Sequence, residues 1–101
     1  METTIKKTDG KLVIFFNGRL DTVSAVKHEE SLMQLASHID RNIIFDFTNL
    51  RYVASAGLRI FLAILKNAKL KGFHVYIRGM NDDVKKVFKT TGFISIFEFC
   101  S

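Results

Sequence analysis

A chain of 101 residues, of which 48% are hydrophobic, is long enough to bury one continuous core, and we expect a single domain over residues 1–101. Its longest apolar run, 60–65, is far shorter than the roughly 18 residues that a membrane span needs, so membrane insertion is not expected. The net charge of +5 arises from 15 lysines and arginines scattered along the chain, which favours a solvated basic surface over direct contact with nucleic acid.

The first predicted element is a β-hairpin. A weak strand over 3–7 and the apolar run 12–16 flank the dipeptide Asp9-Gly10, which is preferred in tight hairpin turns. We therefore predict two antiparallel neighbours, the second of which ends at Asn17-Gly18.

An amphipathic helix is predicted to follow from Val23. Four apolar residues recur at the helical spacing i, i+3, i+4 and i+7: Leu32, Leu35, Ala36 and Ile39. Asp21, Thr22 or Ser24 is a suitable N-cap, because each of these side chains can accept a hydrogen bond from a free backbone N–H group.

The second half of the chain alternates between strands and helices. A central strand is predicted over 42–47, where β-forming residues run up to the break at Thr48-Asn49. A helix over 57–70, a strand over 73–77, a helix over 82–89 and a short strand over 93–97 follow. The order predicts an α/β fold: a mixed, mainly parallel sheet of four to five strands, packed with about three to four helices.

The helix over 57–70 has apolar residues on two opposite sides. The stripe predicted to pack on the sheet consists of Leu58, Phe61, Leu62 and Leu65. Ile60 and Ala63 group on the other side and are expected to face solvent. Such exposure is either incidental, as it often is for a single apolar residue, or it marks a face that docks a partner.

Ser55 stands directly before this helix, among small residues that leave its hydroxyl accessible. It suits an N-cap, which stabilises a helix by about 1 kcal/mol. It also suits a phosphorylation site, because a helix N-terminus favours negative charge and because Arg51 and Arg59 stand close enough in sequence to pair with a phosphate. The residues by themselves leave both interpretations open.

Two segments carry a family resemblance. Residues 46–58 resemble the signature of STAS domains in bacterial anti-sigma factor antagonists, in which a strand, a short loop and a Ser-x-Gly-Leu helix start recur. Residues 17–21 resemble that family's Gly-x-Leu-Asp segment, and the predicted order of elements is similar to the family's over the rest of the chain. The resemblance implies a STAS-like domain.

The resemblance also implies partner switching. In such families the unphosphorylated antagonist binds an anti-sigma factor that is also a serine kinase, and a sigma factor is released. Phosphorylation of the loop serine by that kinase breaks the complex, and a phosphatase restores it. By position, Ser55 matches the phosphoacceptor and Asp21 matches an acidic residue near it. The residue before the phosphoacceptor, often aspartate in the family, is Ala54 here.

The predicted partner surface combines the serine loop with the outer side of the following helix. It consists of Asp21, Ala54, Ser55, Ala56, Gly57, Arg59, Ile60 and Ala63. An alternative hypothesis is a STAS-like accessory subunit of a lipid or anion transport system, docked on an ATPase or permease. A third, a basic nucleic-acid binder, rests on net charge alone.

The chemistry of the side chains gives no support to an enzyme. Capping or turn formation explains Asp21 and Asp46 better than a general acid and base pair does. The three histidines lack the spacing of metal ligands and no glycine-rich phosphate loop occurs, so neither a metal nor a cofactor is expected. Cys100 is interpreted as a packing thiol, and the N-terminus lacks the pattern of a signal peptide, so we expect a cytoplasmic protein.

Overall fold

The computed structural model describes residues 1–100, which form five strands, three α-helices and one 3₁₀ helix. The strands are β1 (Glu2–Thr8), β2 (Lys11–Leu20), β3 (Ile43–Val53), β4 (Val75–Arg78) and β5 (Glu98–Phe99). The α-helices are α1 (Thr22–Ser37), α2 (Ser55–Leu70) and α3 (Asp82–Thr91), and the 3₁₀ helix is Phe93–Ser95.

The five strands form one mixed sheet in the order β1-β2-β3-β4-β5. Only β1 and β2 are antiparallel, and the other neighbouring pairs are parallel. In the hairpin turn, Asp9 at φ 52° and Gly10 at φ 75° both adopt the left-handed conformation that a type I′ turn requires. The predicted α/β fold with a mainly parallel sheet is confirmed.

Aromatic packing fixes α2 on the sheet. The ring centroid of Phe61 lies 5.0 to 5.3 Å from those of Phe16, Phe45 and Phe47, and all four side chains are fully buried. Leu58 and Leu65 are buried on the same helix and Leu62 is half-buried, as predicted for this stripe. Helix α2 therefore has a fixed rotational setting relative to the two central strands.

Two strands run further than the sequence predicts. Asn17-Gly18 does not end β2, and Thr48-Asn49 does not end β3, because the two strands remain paired up to Leu20 opposite Val53. The extra residues are accommodated by register shifts near Gly18, whose φ is 108°. Because of this extension, the C-terminal ends of both strands lie side by side, at the edge of the sheet where α1 and α2 begin.

The strand predicted over 93–97 is wrong. Its first residues form the 3₁₀ helix, and Glu98–Phe99 pair with β4 instead. Phe93 and Phe97 both pack on Phe88 of α3, with ring centroids 6.3 and 5.8 Å from it. The rings of Phe93 and Phe97 lie 6.3 Å apart, whereas a strand would separate residues four apart by about 13 Å, so the chain between them is helical and packing overrides the β propensity of this segment.

Candidate functional site

The candidate site lies where the parallel strands β2 and β3 end. One residue, Asp21, separates β2 from α1, and one residue, Ala54, separates β3 from α2. The Ala54 backbone N–H donates to the Leu20 carbonyl at 2.8 Å, which brings the two connections together. The N-termini of both helices and Ser55 therefore meet at one edge of the sheet, as the sequence predicts for Asp21, Ala54 and Ser55.

Asp21 is the N-cap of α1. Its carboxylate accepts a hydrogen bond from the Ser24 backbone N–H at 2.9 Å, and this bond lowers the pKa of the Asp21 carboxyl below its ordinary value. The structure thus selects Asp21 from the three predicted caps. Asp21 directly follows Leu20, whose carbonyl accepts the Ala54 N–H, so it adjoins the second connection while its carboxylate stabilises the start of α1.

Ser55 is not the N-cap of α2. The helix begins at Ser55 itself, and the extended residue before it, Ala54, is the cap. Alanine has no side-chain acceptor, so α2 has no side-chain cap, and its first turn has no acidic residue. The Ser55 side chain is exposed at a helix start whose free N–H groups and positive dipole end are not compensated by the protein.

Gly57 is buried and anchors the start of α2. A Cβ atom at this position would lie 2.6 Å from the Leu20 Cδ2 and 2.9 Å from the Val53 Cγ2. Glycine is therefore required so that the helix can approach the ends of both strands. Although Gly57 was predicted among the partner-binding residues, its place in the structure is in the packing beneath Ser55.

The expected exposure of Ile60 is wrong. Its side chain is only 4% exposed, because α1 packs along the side of α2 that the sequence left free. Ala56 and Ala63 flank it and are half-buried. Ile60 is thus part of the helix-to-helix packing, and a partner cannot contact most of its side chain in this conformation.

A shallow groove of about 170 Å³ remains between α1 and α2 next to this packing. Val26 and Glu29 contribute to its α1 side, and Arg59 and Ala63 to its α2 side. Since Ser55 and Arg59 are four residues apart on α2, they are neighbours on the helix surface. The groove therefore opens beside the serine.

Three exposed apolar side chains at this edge were missed by the sequence reasoning. Val23 and Val26 of α1 are 64% and 67% exposed, and Tyr52 near the end of β3 is 39% exposed. Val23 and Val26 do not share the spacing of Leu32 and the other residues of the predicted α1 stripe. Their position off this stripe could have predicted that they are exposed. Val23 and Val26 are three residues apart on α1 and so are neighbours on its surface, and exposed apolar residues grouped in this way are typical of a binding surface.

Three exposed arginines lie near the ends of β2 and β3 and in the first turns of α2. The guanidinium of Arg19 stacks on the Tyr52 ring at 4.5 Å, and Arg51 and Arg59 are exposed nearby in the sequence. The α2 dipole adds its positive end. This edge of the molecule combines apolar contact area with positive charge around one exposed hydroxyl, an arrangement suited to binding a protein or an anionic group.

Asp46 does not belong to this edge. Its carboxylate accepts hydrogen bonds from the Thr48 backbone N–H at 2.9 Å and from Arg78 Nε at 2.8 Å. Burial raises the pKa of Asp46, but these hydrogen bonds outweigh it and hold the pKa below its ordinary value. Asp21 and Asp46 thus serve separate local structures, as predicted.

The described residues also give two negative findings. Within 1–100, no group of three histidine, cysteine, aspartate or glutamate side chains is placed to hold a metal ion. In the same range, no helix is long and apolar enough to cross a bilayer.

A family model and the curated relatives of this chain point to the same family. The model of the STAS domain matches residues 2–101. BtrV of Bordetella bronchiseptica, assigned as an anti-sigma factor antagonist, is 30% identical over 97 residues, which cover 96% of this chain and 84% of BtrV. The anti-sigma-B factor antagonist of Staphylococcus aureus is 31% identical over 75 residues, covering 74% of this chain and 69% of the relative.

Solved structures share the fold at lower identity. A Thermotoga maritima protein assigned as an anti-sigma factor antagonist superposes with a TM-score of 0.87 at 17% identity, covering 96% of this chain and 84% of that one. The phosphorylated form of the Bacillus protein SpoIIAA gives 0.68 at 16%, covering 99% and 92%. A sulfate transporter family protein from Wolinella succinogenes gives 0.74 at 14%, covering 91% and 78%.

Proposed function

The chain belongs to the STAS domain family as an anti-sigma factor antagonist, and from that premise we propose that it is a switch controlled by phosphorylation of Ser55. In its unphosphorylated form it binds an anti-sigma factor of the serine kinase type and so frees a sigma factor. The partner kinase phosphorylates Ser55 and ends the complex, and a phosphatase restores it.

The exposed, uncapped position of Ser55 is the observation that carries this proposal. The hydroxyl is accessible at the first residue of α2, where a phosphate would meet free backbone N–H groups and the Arg59 side chain one turn away. Phosphorylation is therefore compatible with the fold. Its effect falls on the surface, because it adds about −1.5 to −2 charges to an edge that is otherwise positive.

The partner surface that we propose differs from the predicted one because it contains only residues that are exposed or half-buried in the structure. Residues exposed or half-buried around Ser55 remain in it: Asp21, Ala54, Ala56, Arg59 and Ala63. Val23, Val26 and Tyr52 join it because of their exposure, while Gly57 and Ile60 leave it because they are buried. An interface of this kind places apolar anchors at its centre and charged residues at its rim.

Catalysis belongs to the partners in this proposal. The chain contributes a phosphoacceptor and a binding surface in the cytoplasm, where sigma factors act, and the kinase supplies the nucleotide. The transport-subunit hypothesis is not favoured: the sulfate transporter protein shares the fold, but the curated relatives are anti-sigma factor antagonists.

The test uses the purified chain and the kinase-type anti-sigma factor of the same organism. We expect ATP to place one phosphate on Ser55, as located by mass spectrometry. Calorimetry should then show at least ~10-fold weaker binding, equivalent to about 1.4 kcal/mol, because the added dianion is partly desolvated at the interface. Ser55→Ala should bind like the unphosphorylated chain and stay bound in the presence of ATP.

Ser31 and Ser37 of α1 provide matched controls, because both are exposed serines away from the strand ends. Alanine at either position should leave phosphorylation and release unchanged. Phosphate found only on a residue other than Ser55, or equal affinity of the two forms, would refute the switch.

A further inference from the structure

The groove between α1 and α2 has the size and lining of a receptor for one side chain. Its volume of about 170 Å³ is comparable to that of cavities, about 150 Å³, that hold a benzene ring. Val26 and Met33 line it on α1, and Ala56 and Ala63 line it on α2, above the buried Ile60. Small alanines on one wall leave the space, and aliphatic side chains on the other make it apolar.

The two rims of the groove carry opposite charges that the protein does not pair. Arg59 stands on the α2 side and Glu29 on the α1 side, and both residues are exposed. Neither takes part in an ion pair among the described residues 1–100. An unpaired guanidinium at the edge of an apolar recess presents a planar donor group that fits a carboxylate.

We propose that this groove takes a single apolar side chain of the partner and that Arg59 binds a carboxylate next to it. The occupant is thus an apolar residue with an acidic neighbour, presented by an acidic face of the anti-sigma factor. The choice of that protein rests on the proposed function, whereas the chemistry of the occupant rests on the groove. Charge complementarity at Arg59 supports an acidic neighbour, because its exposed guanidinium is unpaired at the groove within the described residues, and Arg19 and Arg51 are further exposed arginines near the ends of β2 and β3.

The same arrangement explains how a phosphate on Ser55 opposes docking. Ser55 and Arg59 are separated by four residues on α2, so their side chains lie on adjacent turns of one face. A phosphate on Ser55 pairs with the Arg59 guanidinium and competes with the partner's carboxylate for it. Phosphorylation then weakens binding without moving the backbone.

The first experiment needs no partner protein. The ¹⁵N-labelled chain is titrated with acetyl-Leu-Glu-amide, and backbone amide shifts are followed by NMR. We expect saturable shifts at Val26, Ala56, Arg59 and Ala63. Acetyl-Ala-Glu-amide, which lacks the large apolar group, and acetyl-Leu-Gln-amide, which lacks the charge, should each bind at least about fivefold more weakly. Shifts confined to other surfaces, or no saturable shifts, would overturn the groove.

The second experiment fills the groove in the complete chain. Ala63→Leu should abolish the peptide shifts and weaken binding of the anti-sigma factor at least about 10-fold, because the added side chain occupies the recess. Thr90→Leu, which adds a similar group on the exposed side of α3, is the matched control and should change neither. If Ala63→Leu fails to fold, Arg59→Gln is compared with Lys66→Gln, which removes the same charge from the same helix.

Binding of the wild-type chain tests the antagonist function, and binding of the variants tests the groove. If the wild-type chain binds the anti-sigma factor and Ala63→Leu or Arg59→Gln binds it equally well, the groove is overturned and the antagonist function stands. If the wild-type chain binds no anti-sigma factor, the proposed function fails, and the peptide titration alone decides the groove. Loss of the difference between phosphorylated and unphosphorylated chains in Arg59→Gln would support the competition at Ser55.

Discussion

At the scale of single residues, a shift of one position in the start of α2 decides whether Ser55 or Ala54 is the N-cap. The sequence predicts that Ser55 stands directly before the helix, and in the structure Ser55 is the first residue of α2. The boundary differs because the Ala54 backbone N–H is bound to the Leu20 carbonyl, which fixes Ala54 in an extended conformation and makes it the cap. A tertiary hydrogen bond decided the boundary, and local propensity does not report such bonds.

The cap assignment predicts different effects on stability for two substitutions at Ser55. Ser55→Ala should change the free energy of unfolding by less than about 0.5 kcal/mol, because no capping bond is lost. Ser55→Asp should raise it by about 0.3–1 kcal/mol, because a carboxylate then faces the helix dipole in a first turn that has no acidic residue.

Urea titration of both variants with the wild-type chain measures these differences. Asp21→Ala serves as the control for a true cap, since the Asp21 carboxylate accepts a hydrogen bond from the Ser24 backbone N–H at 2.9 Å, and the loss of this bond should cost about 1 kcal/mol. An equal cost for Ser55→Ala would return Ser55 to the role of helix cap.

At the scale of elements, the spacing of apolar residues and the turn residues between them located most helices and strands, but they did not show which element covers each of them. The two apolar sides of α2 are visible in the sequence, and one of them packs on the sheet as predicted. The other is covered by α1, which no local pattern of α2 can reveal, and Ile60 is buried as a result. The segment 93–97 failed for the same reason, because contacts with α3 outweigh its β propensity.

The packing of α1 on α2 predicts a clear contrast between two aliphatic residues. Ile60→Ala should lower the free energy of unfolding by about 2–5 kcal/mol, because it leaves a cavity between the helices. Val26→Ala should lower it by less than about 0.5 kcal/mol, because that side chain is 67% exposed. Denaturant titration at equal m-values gives both numbers. A small loss for Ile60→Ala would mean that α1 does not cover α2 in solution.

At the scale of the whole molecule, charge has a distribution that composition alone cannot give. The sequence shows 15 scattered basic residues, which by themselves distinguish poorly between anionic partners. The fold places Arg19, Arg51 and Arg59 at the edge that also carries the exposed Val23 and Val26. Sequence alone was sufficient for the α/β fold and for placing Ser55 at the beginning of a helix, whereas this surface depends on two parallel strands that end side by side.

This distribution predicts how association with the anti-sigma factor responds to salt. The association rate constant should fall at least about 10-fold between ~50 and ~500 mM NaCl, because added ions screen the attraction that guides an acidic partner to this edge. The dissociation rate constant should change much less, because apolar contacts determine it. Stopped-flow measurements of both rate constants test this.

Duplex DNA of random sequence is the control, because it is an anionic partner that does not match the shape of this surface. Its binding should disappear at about 0.15 M salt, because the basic residues are scattered along the chain and nonspecific binding to a phosphate backbone weakens steeply with salt. DNA binding that survives this salt, together with an association rate for the anti-sigma factor that salt leaves unchanged, would assign the positive charge to nucleic acid. The opposite result would assign the charge that guides association to the exposed arginines near Ser55, of which Arg59 lines the groove.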